Sequence, residues 1–177
     1  MPAQQGIKPQ DVLVLLKIVT LGEQPWRVMD LAQKLGISAS EVSMALERAR
    51  RVGMLGPDKR TVRRAPLLEF LVHGLRYVFP AELGPVSRGI PTAHSAPSLA
   101  HKIVTQDHER VVWPSESAHG RGQSIAPLYP SVPLAVMKNP LLYDLLALVD
   151  SIRVGSAQER GSAAVELERR LGGAAQA

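Results

Sequence analysis

A dense group of basic side chains marks the first third of the sequence as a surface for binding anions. Residues 48–64 contain seven Arg and Lys side chains and a single acid, Asp58. The net charge of +5 is confined to residues 1–66, because residues 67–177 carry ten basic and ten acidic side chains. Concentrated guanidinium and ammonium groups are typical of a phosphate-contacting face, and the alternative is a solvated charged surface. The seven basic residues are Arg48, Arg50, Arg51, Lys59, Arg60, Arg63 and Arg64.

Other kinds of chemistry have weaker support in the sequence. Histidines occur at positions 73, 94, 101, 108 and 119, but there is no HExxH motif and Pro97 interrupts the interval between His94 and His101. Arg88, His94 and Ser95 could surround an anion. A Ser-His pair without a placed acid is nevertheless a weak indication of a nucleophile. We therefore predict that the protein is not an enzyme and has no metal or cofactor site.

Two short helices joined by a tight turn precede and position the basic group. Leu35 closes an amphipathic segment, and Gly36 can take the left-handed conformation that ends a helix. Ser38 and Glu41 form a capping box, in which the Ser38 hydroxyl accepts from the Glu41 amide and the Glu41 carboxylate from the Ser38 amide. The next helix therefore starts one turn after the previous helix ends. This arrangement predicts a helix-turn-helix.

The helix that begins after Ser38 has two distinct faces. Gly53 ends it, and residues 54–63 predict a hairpin with a turn at residues 56–59. The predicted core stripe consists of Val42, Ala45, Leu46, Ala49 and Val52. The predicted solvent face consists of Ser40, Glu41, Ser43, Met44, Glu47, Arg48 and Arg51.

This segment resembles the DNA-binding core of bacterial winged helix-turn-helix regulators such as those of the MarR class. Ala32, Gly36 and Val42 occupy the small, glycine and aliphatic positions of that motif. The resemblance implies that this helix enters the major groove and that the hairpin is a wing that holds phosphate. The expected DNA-binding residues are Ser38, Ser40, Glu41, Ser43, Met44, Glu47, Arg48, Arg51, Lys59, Arg60 and Arg63.

Three of the side chains in this region have alternative roles. Met44 could contact a thymine methyl or lie at the rim of the core. Glu47 could accept from a cytosine amine or pair with Arg51 one turn on. Trp26 is expected to pack against the first helix, and stacking on a base is the alternative.

The chain changes character at Pro80. Residues 80–133 hold eight of the fourteen prolines and yet carry many apolar side chains. We predict an irregular arm over residues 80–138, with one short helix near residues 98–104. The arm is expected to pack on its own chain, on a twin subunit or on another protein.

The C-terminal region predicts two helices. Asn139 caps and Pro140 opens a helix that is apolar nearly all round and ends at Gly155. Ser156 and Glu159 form a second capping box, which opens a last helix. Because so apolar a helix needs burial on several sides, we predict that residues 139–172 form a homodimer interface.

Together these patterns predict a mainly α fold with a winged helix-turn-helix domain at residues 7–79. The expected function is that of a cytoplasmic, homodimeric repressor that binds specific double-stranded DNA. The absence of cysteine, signal peptide and membrane-spanning segment fits this expectation.

The alternative function is that of an antitoxin, because HGLRYVFPAELGP and LYPSVP resemble winged-helix proteins encoded beside nucleotidyltransferase-type toxins. Such an antitoxin would bind its toxin through residues 80–133 and autoregulate its operon. A third hypothesis is a helix-turn-helix used only for binding proteins.

Overall fold

Two helical regions, separated in sequence by a small β-sheet, make up the computed structural model, which describes residues 6–105 and 109–172. The first region contains α1 (Pro9–Leu21), α2 (Val28–Leu35) and α3 (Ala39–Arg51). Leu55 and Val62 then form the one bridging pair of a short hairpin. A longer helical run follows, made of α4 (Arg64–Glu69), a π-helical turn (Phe70–Gly74) and α5 (Leu75–Val78).

The middle of the chain is a three-stranded mixed sheet, so the prediction of a mainly α fold with an irregular arm is wrong. Its strands are β1 (Val86–Thr92), β2 (Val111–Pro114) and β3 (Gly120–Ser124). The short helix expected near residues 98–104 is replaced by 3₁₀ turns at Ala93–Ser95 and Pro97–Leu99. The last elements are α6 (Val132–Val136), α7 (Pro140–Val154) and α8 (Ala157–Gly172).

The three strands close on one another as a very small barrel. β1 is antiparallel to both β2 and β3, and β2 and β3 pair in parallel. Glycine is required where the strands cross: a Cβ on Gly89 would lie 2.1 Å from the Trp113 carbonyl oxygen, and one on Gly122 would lie 2.4 Å from that of Arg110. Because Pro91 lies within β1 and glycines recur, the segment lacks the alternating pattern that predicts strands.

A buried carboxylate attaches the barrel to α7. Asp150 accepts hydrogen bonds from the Trp113 indole nitrogen at 2.6 Å, the Thr92 hydroxyl at 2.8 Å and the Arg153 guanidinium at 2.9 Å. The Tyr143 hydroxyl also donates to the carbonyl of Pro91. Segment 80–138 therefore packs on its own chain, through polar bonds as well as apolar contacts.

Helix α7 is covered by its own chain. Residues 145–152 are all buried, and α7 contacts α1, α5, α6, α8 and β1. On α1, residues 11–18 are likewise all buried. Apart from Leu141, which is 57% exposed, the leucines of α7 are thus buried within one subunit, which removes the argument for a dimer interface at residues 139–172. Within the described residues, none of the helices combines the length and apolarity that crossing a membrane requires.

Several predicted helix ends are confirmed. Gly36 ends α2 with φ of 65°, and the Asn139 side-chain oxygen accepts from the Leu142 amide at 3.1 Å. Both bonds of the capping box formed by Ser156 and Glu159 are present, at 2.9 and 3.2 Å. The termini that depend on local side-chain chemistry were therefore visible in the sequence.

We expect acid to destabilise the protein partly through Glu166. Hydrogen bonds from Arg169 and then Arg170 outweigh burial and lower the pKa of Glu166 to about 2. Because the pKa is lower in the folded state, the stabilisation is present above the unfolded pKa, near 4.5, and is lost as the pH falls toward 2. Glu166→Gln should lower the free energy of unfolding at neutral pH and match the wild type near pH 2. Urea denaturation across this pH range measures the difference, and a pH-independent difference would contradict the assignment.

Candidate nucleic-acid interface

One face of α3 is open to solvent. Ser40, Ser43, Met44 and Arg51 are exposed, at spacings of three, four and seven residues that place them along one side of the helix. Met44 is 46% exposed, so its side chain is available for contact. The opposite stripe, Val42, Ala45, Leu46 and Ala49, is buried as predicted, whereas Val52 is 44% exposed and lies outside the core.

Glu47 links α3 to the hairpin. Its carboxylate accepts from Arg50 at 2.7 Å and Arg51 at 3.0 Å, and it pairs with the Lys59 ammonium at 2.9 Å. The Arg50 hydrogen bond, followed by those of Lys59 and Arg51, holds the pKa of Glu47 far below its usual range. Of the two roles weighed for Glu47, the structure shows the pairing with Arg51. Three cations around one carboxylate leave a positive surplus at this point of the surface.

The hairpin is shaped by Asp58. Its carboxylate accepts from the Thr61 hydroxyl at 2.6 Å and from the amides of Thr61 and Arg60 at 3.0 and 2.9 Å. These bonds, Thr61 first, lower the pKa of Asp58 to about 2. They also hold Lys59 in the left-handed region, at φ of 55°, which non-glycine residues rarely adopt. The hairpin tip thereby presents Lys59 and Arg60 to solvent.

Arg60 is anchored by Trp26. Its guanidinium lies 4.3 Å from the centroid of the indole ring and donates to the Trp26 carbonyl at 2.6 Å. Trp26 itself is half-buried against the core, in keeping with the packing role predicted for it. The contact is a cation–π interaction, and it holds Arg60 in a defined orientation with further N–H donors left over.

Arg48 is buried, so its side chain is not available for the phosphate contact that was expected of it. It is 4% exposed, and it donates two hydrogen bonds to the Asp11 carboxylate, at 2.8 and 2.7 Å. It also donates to Glu41 at 2.8 Å. Sequence analysis missed this pair, although Asp11 is the lone acid of a very apolar helix and so required a buried partner.

Glu41 has a different role from the one expected. The Ser38 hydroxyl accepts from the Glu41 amide at 3.1 Å, as the capping box predicts. The Glu41 carboxylate instead accepts from Gln10 and Arg48, each at 2.8 Å. Glu41 therefore ties α3 to α1 and does not face a ligand.

The residues left available define what we call the α3–hairpin face. None of them is buried, and each can approach a ligand without unfolding any part of the structure. Arg63 is exposed and carries no ion pair among the described residues. The face consists of Ser40, Ser43, Met44, Arg51, Lys59, Arg60 and Arg63.

In the barrel region Arg88, His94 and Ser95 each bond to a backbone group, and the His94 ring also lies 3.8 Å from the Glu159 carboxylate. The Ser95 hydroxyl accepts from the Val111 amide at 2.9 Å, His94 bonds to the Glu109 carbonyl at 2.9 Å, and Arg88 donates to the Glu116 carbonyl at 3.4 Å. These side chains hold loops of the barrel. Over the part of the chain that is described, no three His, Asp or Glu side chains are grouped as a metal ion would require.

Comparison with known proteins identifies no relative: no family model, no curated protein and no solved structure matches the chain.

We expect Arg48 and Arg51, three residues apart on α3, to respond very differently to substitution by Met. Arg48→Met leaves the buried Asp11 carboxylate with the Lys8 amide as a hydrogen-bond donor but without a counter-charge, and should cost roughly 3–5 kcal/mol of unfolding free energy. Arg51→Met alters a solvent-exposed ion pair and should cost less than about 1 kcal/mol.

Urea denaturation of both variants measures the contrast. Adding Asp11→Asn to Arg48→Met should recover part of the loss, since the unpaired charge is then removed. Equal stability of the two arginine variants would show that the buried pair does not hold α1 to α3.

Proposed function

We propose that the chain binds double-stranded DNA through the α3–hairpin face and acts as a transcriptional regulator. The observation that carries the proposal is that this face is open and positively charged. Its helical part offers small hydroxyls and Met44, and its edges offer cations. The two nearby acids already have partners within the protein: Glu47 pairs with three cations, and Asp58 accepts the hydrogen bonds that shape the hairpin turn.

The side chains sort into two kinds of contact. Ser40, Ser43 and Met44 lie on α3 where base edges would be met in the major groove, with Met44 suited to a thymine methyl. The phosphate contacts come from Arg51 on α3 and from the hairpin residues Lys59, Arg60 and Arg63. The likeness of α2, Gly36 and α3 to the helix-turn-helix of bacterial regulators supports this assignment, and it implies a cytoplasmic location.

The pairing of Glu47 with Lys59 gives the proposed interface a fixed geometry. It joins the tip of the hairpin to the middle of α3 across 2.9 Å. The Trp26 contact with Arg60 holds the hairpin at a second point. A preorganised pair of elements needs less ordering on binding, and this lowers the entropic cost of docking on a duplex.

We expect Arg51→Ala to weaken binding to every duplex. Loss of one phosphate contact should reduce the slope of log affinity against log salt by about 0.9. Arg169→Ala is the matched control, because both arginines are 62% exposed and each pairs with a glutamate on its own helix.

Fluorescence anisotropy with a duplex from the gene's upstream region and with an unrelated duplex, over about 50 to 200 mM salt, makes the measurement. Equal loss of affinity in the two variants, or affinity that is flat across this salt range, would overturn the proposal.

Glu47→Gln should strengthen binding to both duplexes. The substitution removes a negative charge from the face, while the amide oxygen of Gln can still accept from Lys59 and so keep the hairpin joined to α3. Ser43→Ala, in contrast, should change the ratio of the two affinities. If Glu47→Gln instead weakened binding to the upstream duplex alone, Glu47 would be a base contact.

A further inference from the structure

A second feature with the chemistry of a ligand site lies away from the α3–hairpin face. A cavity of about 530 Å³ opens between α1 and α2 on one side and α6 and the start of α7 on the other. Its wall carries three lysines, Lys17, Lys34 and Lys138, together with the apolar side chains of Leu134 and Met137. None of these residues belongs to the proposed DNA contacts.

The side chain of Lys17 is the strongest indication that the cavity binds a ligand. It is 6% exposed, and within the described residues its ammonium group has neither a hydrogen bond nor an ion pair. Burial, and then the charge of Lys34, lower the pKa of Lys17. The Lys17 nitrogen is not among the unpartnered side-chain atoms that are sealed from solvent, so its covered stem brings the ammonium group to the wall of the cavity, where it has no counter-charge. An anion in the cavity would supply the missing partner.

Lys34 and Lys138 add to the positive charge of the cavity. Neither Lys34 nor Lys138 forms an ion pair with any side chain in the described part of the chain. Asn139, which caps the 15-residue helix α7, also lines the cavity, so the positive end of that helix dipole faces the same region. The charged part of the cavity is therefore positive: none of the residues that line it is acidic, and Asp30, one turn before Lys34 on α2, is ion-paired with Arg27.

The apolar wall points to more than a simple ion. Leu134 is 59% exposed and Met137 is 71% exposed, although both are large apolar side chains next to a buried core. Leu134 is held in place against the α2–α3 turn, since its Cδ2 would lie 2.9 Å from a Cβ added at Gly36. A cavity with one charged end and one apolar wall fits an amphipathic ligand, and its volume is within the usual range for small-molecule sites.

We infer that this cavity binds a small molecule that carries a carboxylate or phosphate group on an apolar body. The anion lies against Lys17 and Lys34, and the apolar body covers Leu134 and Met137. The inference does not depend on DNA binding, because it uses different residues on a different surface.

Isothermal titration calorimetry on the full chain tests the site with four probes: octanoate, phenyl phosphate, inorganic phosphate and octan-1-ol. We expect saturable binding of octanoate or phenyl phosphate, whichever head group fits, with weaker binding of inorganic phosphate and of octan-1-ol. Lys17→Met should weaken the favoured anion roughly ten- to a hundredfold, the range that a charge-assisted hydrogen bond supplies. Lys102→Met is the control, because Lys102 pairs with Glu166 and does not line the cavity.

Two further measurements separate loss of the site from loss of the fold. Lys17→Met should leave the free protein folded, with a thermal midpoint no lower than that of the wild type, since it keeps the apolar stem and removes a partly desolvated charge. Met137→Ala should weaken octanoate or phenyl phosphate and leave inorganic phosphate unchanged.

Three results would overturn the inference. The first is equal anion affinity in Lys17→Met and the wild type. The second is no saturable heat with any of the anions, and the third is binding of octan-1-ol as tight as that of octanoate and phenyl phosphate.

Discussion

The buried pair of Arg48 and Asp11 is the constraint on which the rest of the structure depends. It joins α3 to α1 through two hydrogen bonds inside the core, and Glu41 and Gln10 extend it to the edge. Because α1 also packs against α7, the orientation of α3 is coupled to the C-terminal helices. A buried ion pair of this kind adds little net stability, yet it is costly to break, so it favours one orientation of the two helices over others.

A second buried carboxylate plays the corresponding role for the barrel. Asp150 on α7 accepts from Thr92 on β1 and from Trp113 on β2, while Arg153 supplies the opposite charge. Three strands cannot bury a core of their own, so the barrel depends on the side of α7 for burial. Helix α7 thus serves as the common support for the barrel and for the helices around α1, and this is why its sequence is apolar nearly all round.

The positive charge of the α3–hairpin face depends on the partners of its acidic side chains as well as on the number of its basic ones. Glu41 is committed to the core, Asp58 to the hairpin turn and Glu47 to three cations. Each acid of the region therefore has a structural partner, and the remaining guanidinium groups face solvent. The cavity beside α6 shows the opposite situation, because none of the residues that line it together with its lysines is acidic.

The sequence by itself determined those features that depend on neighbours within one turn. The cap at Ser38, the left-handed Gly36, the hairpin turn held by Asp58 and the opening of α7 at Asn139 are all local, and each was visible in the spacing of a few residues. Only the tertiary structure decided that Arg48 is buried, that residues 86–124 form a barrel and that α7 is covered by its own chain. Those outcomes depend on partners many residues away, such as Asp11 for Arg48 and Trp113 for Asp150. Periodicity shows that a face must be buried, but it does not show which surface will bury it.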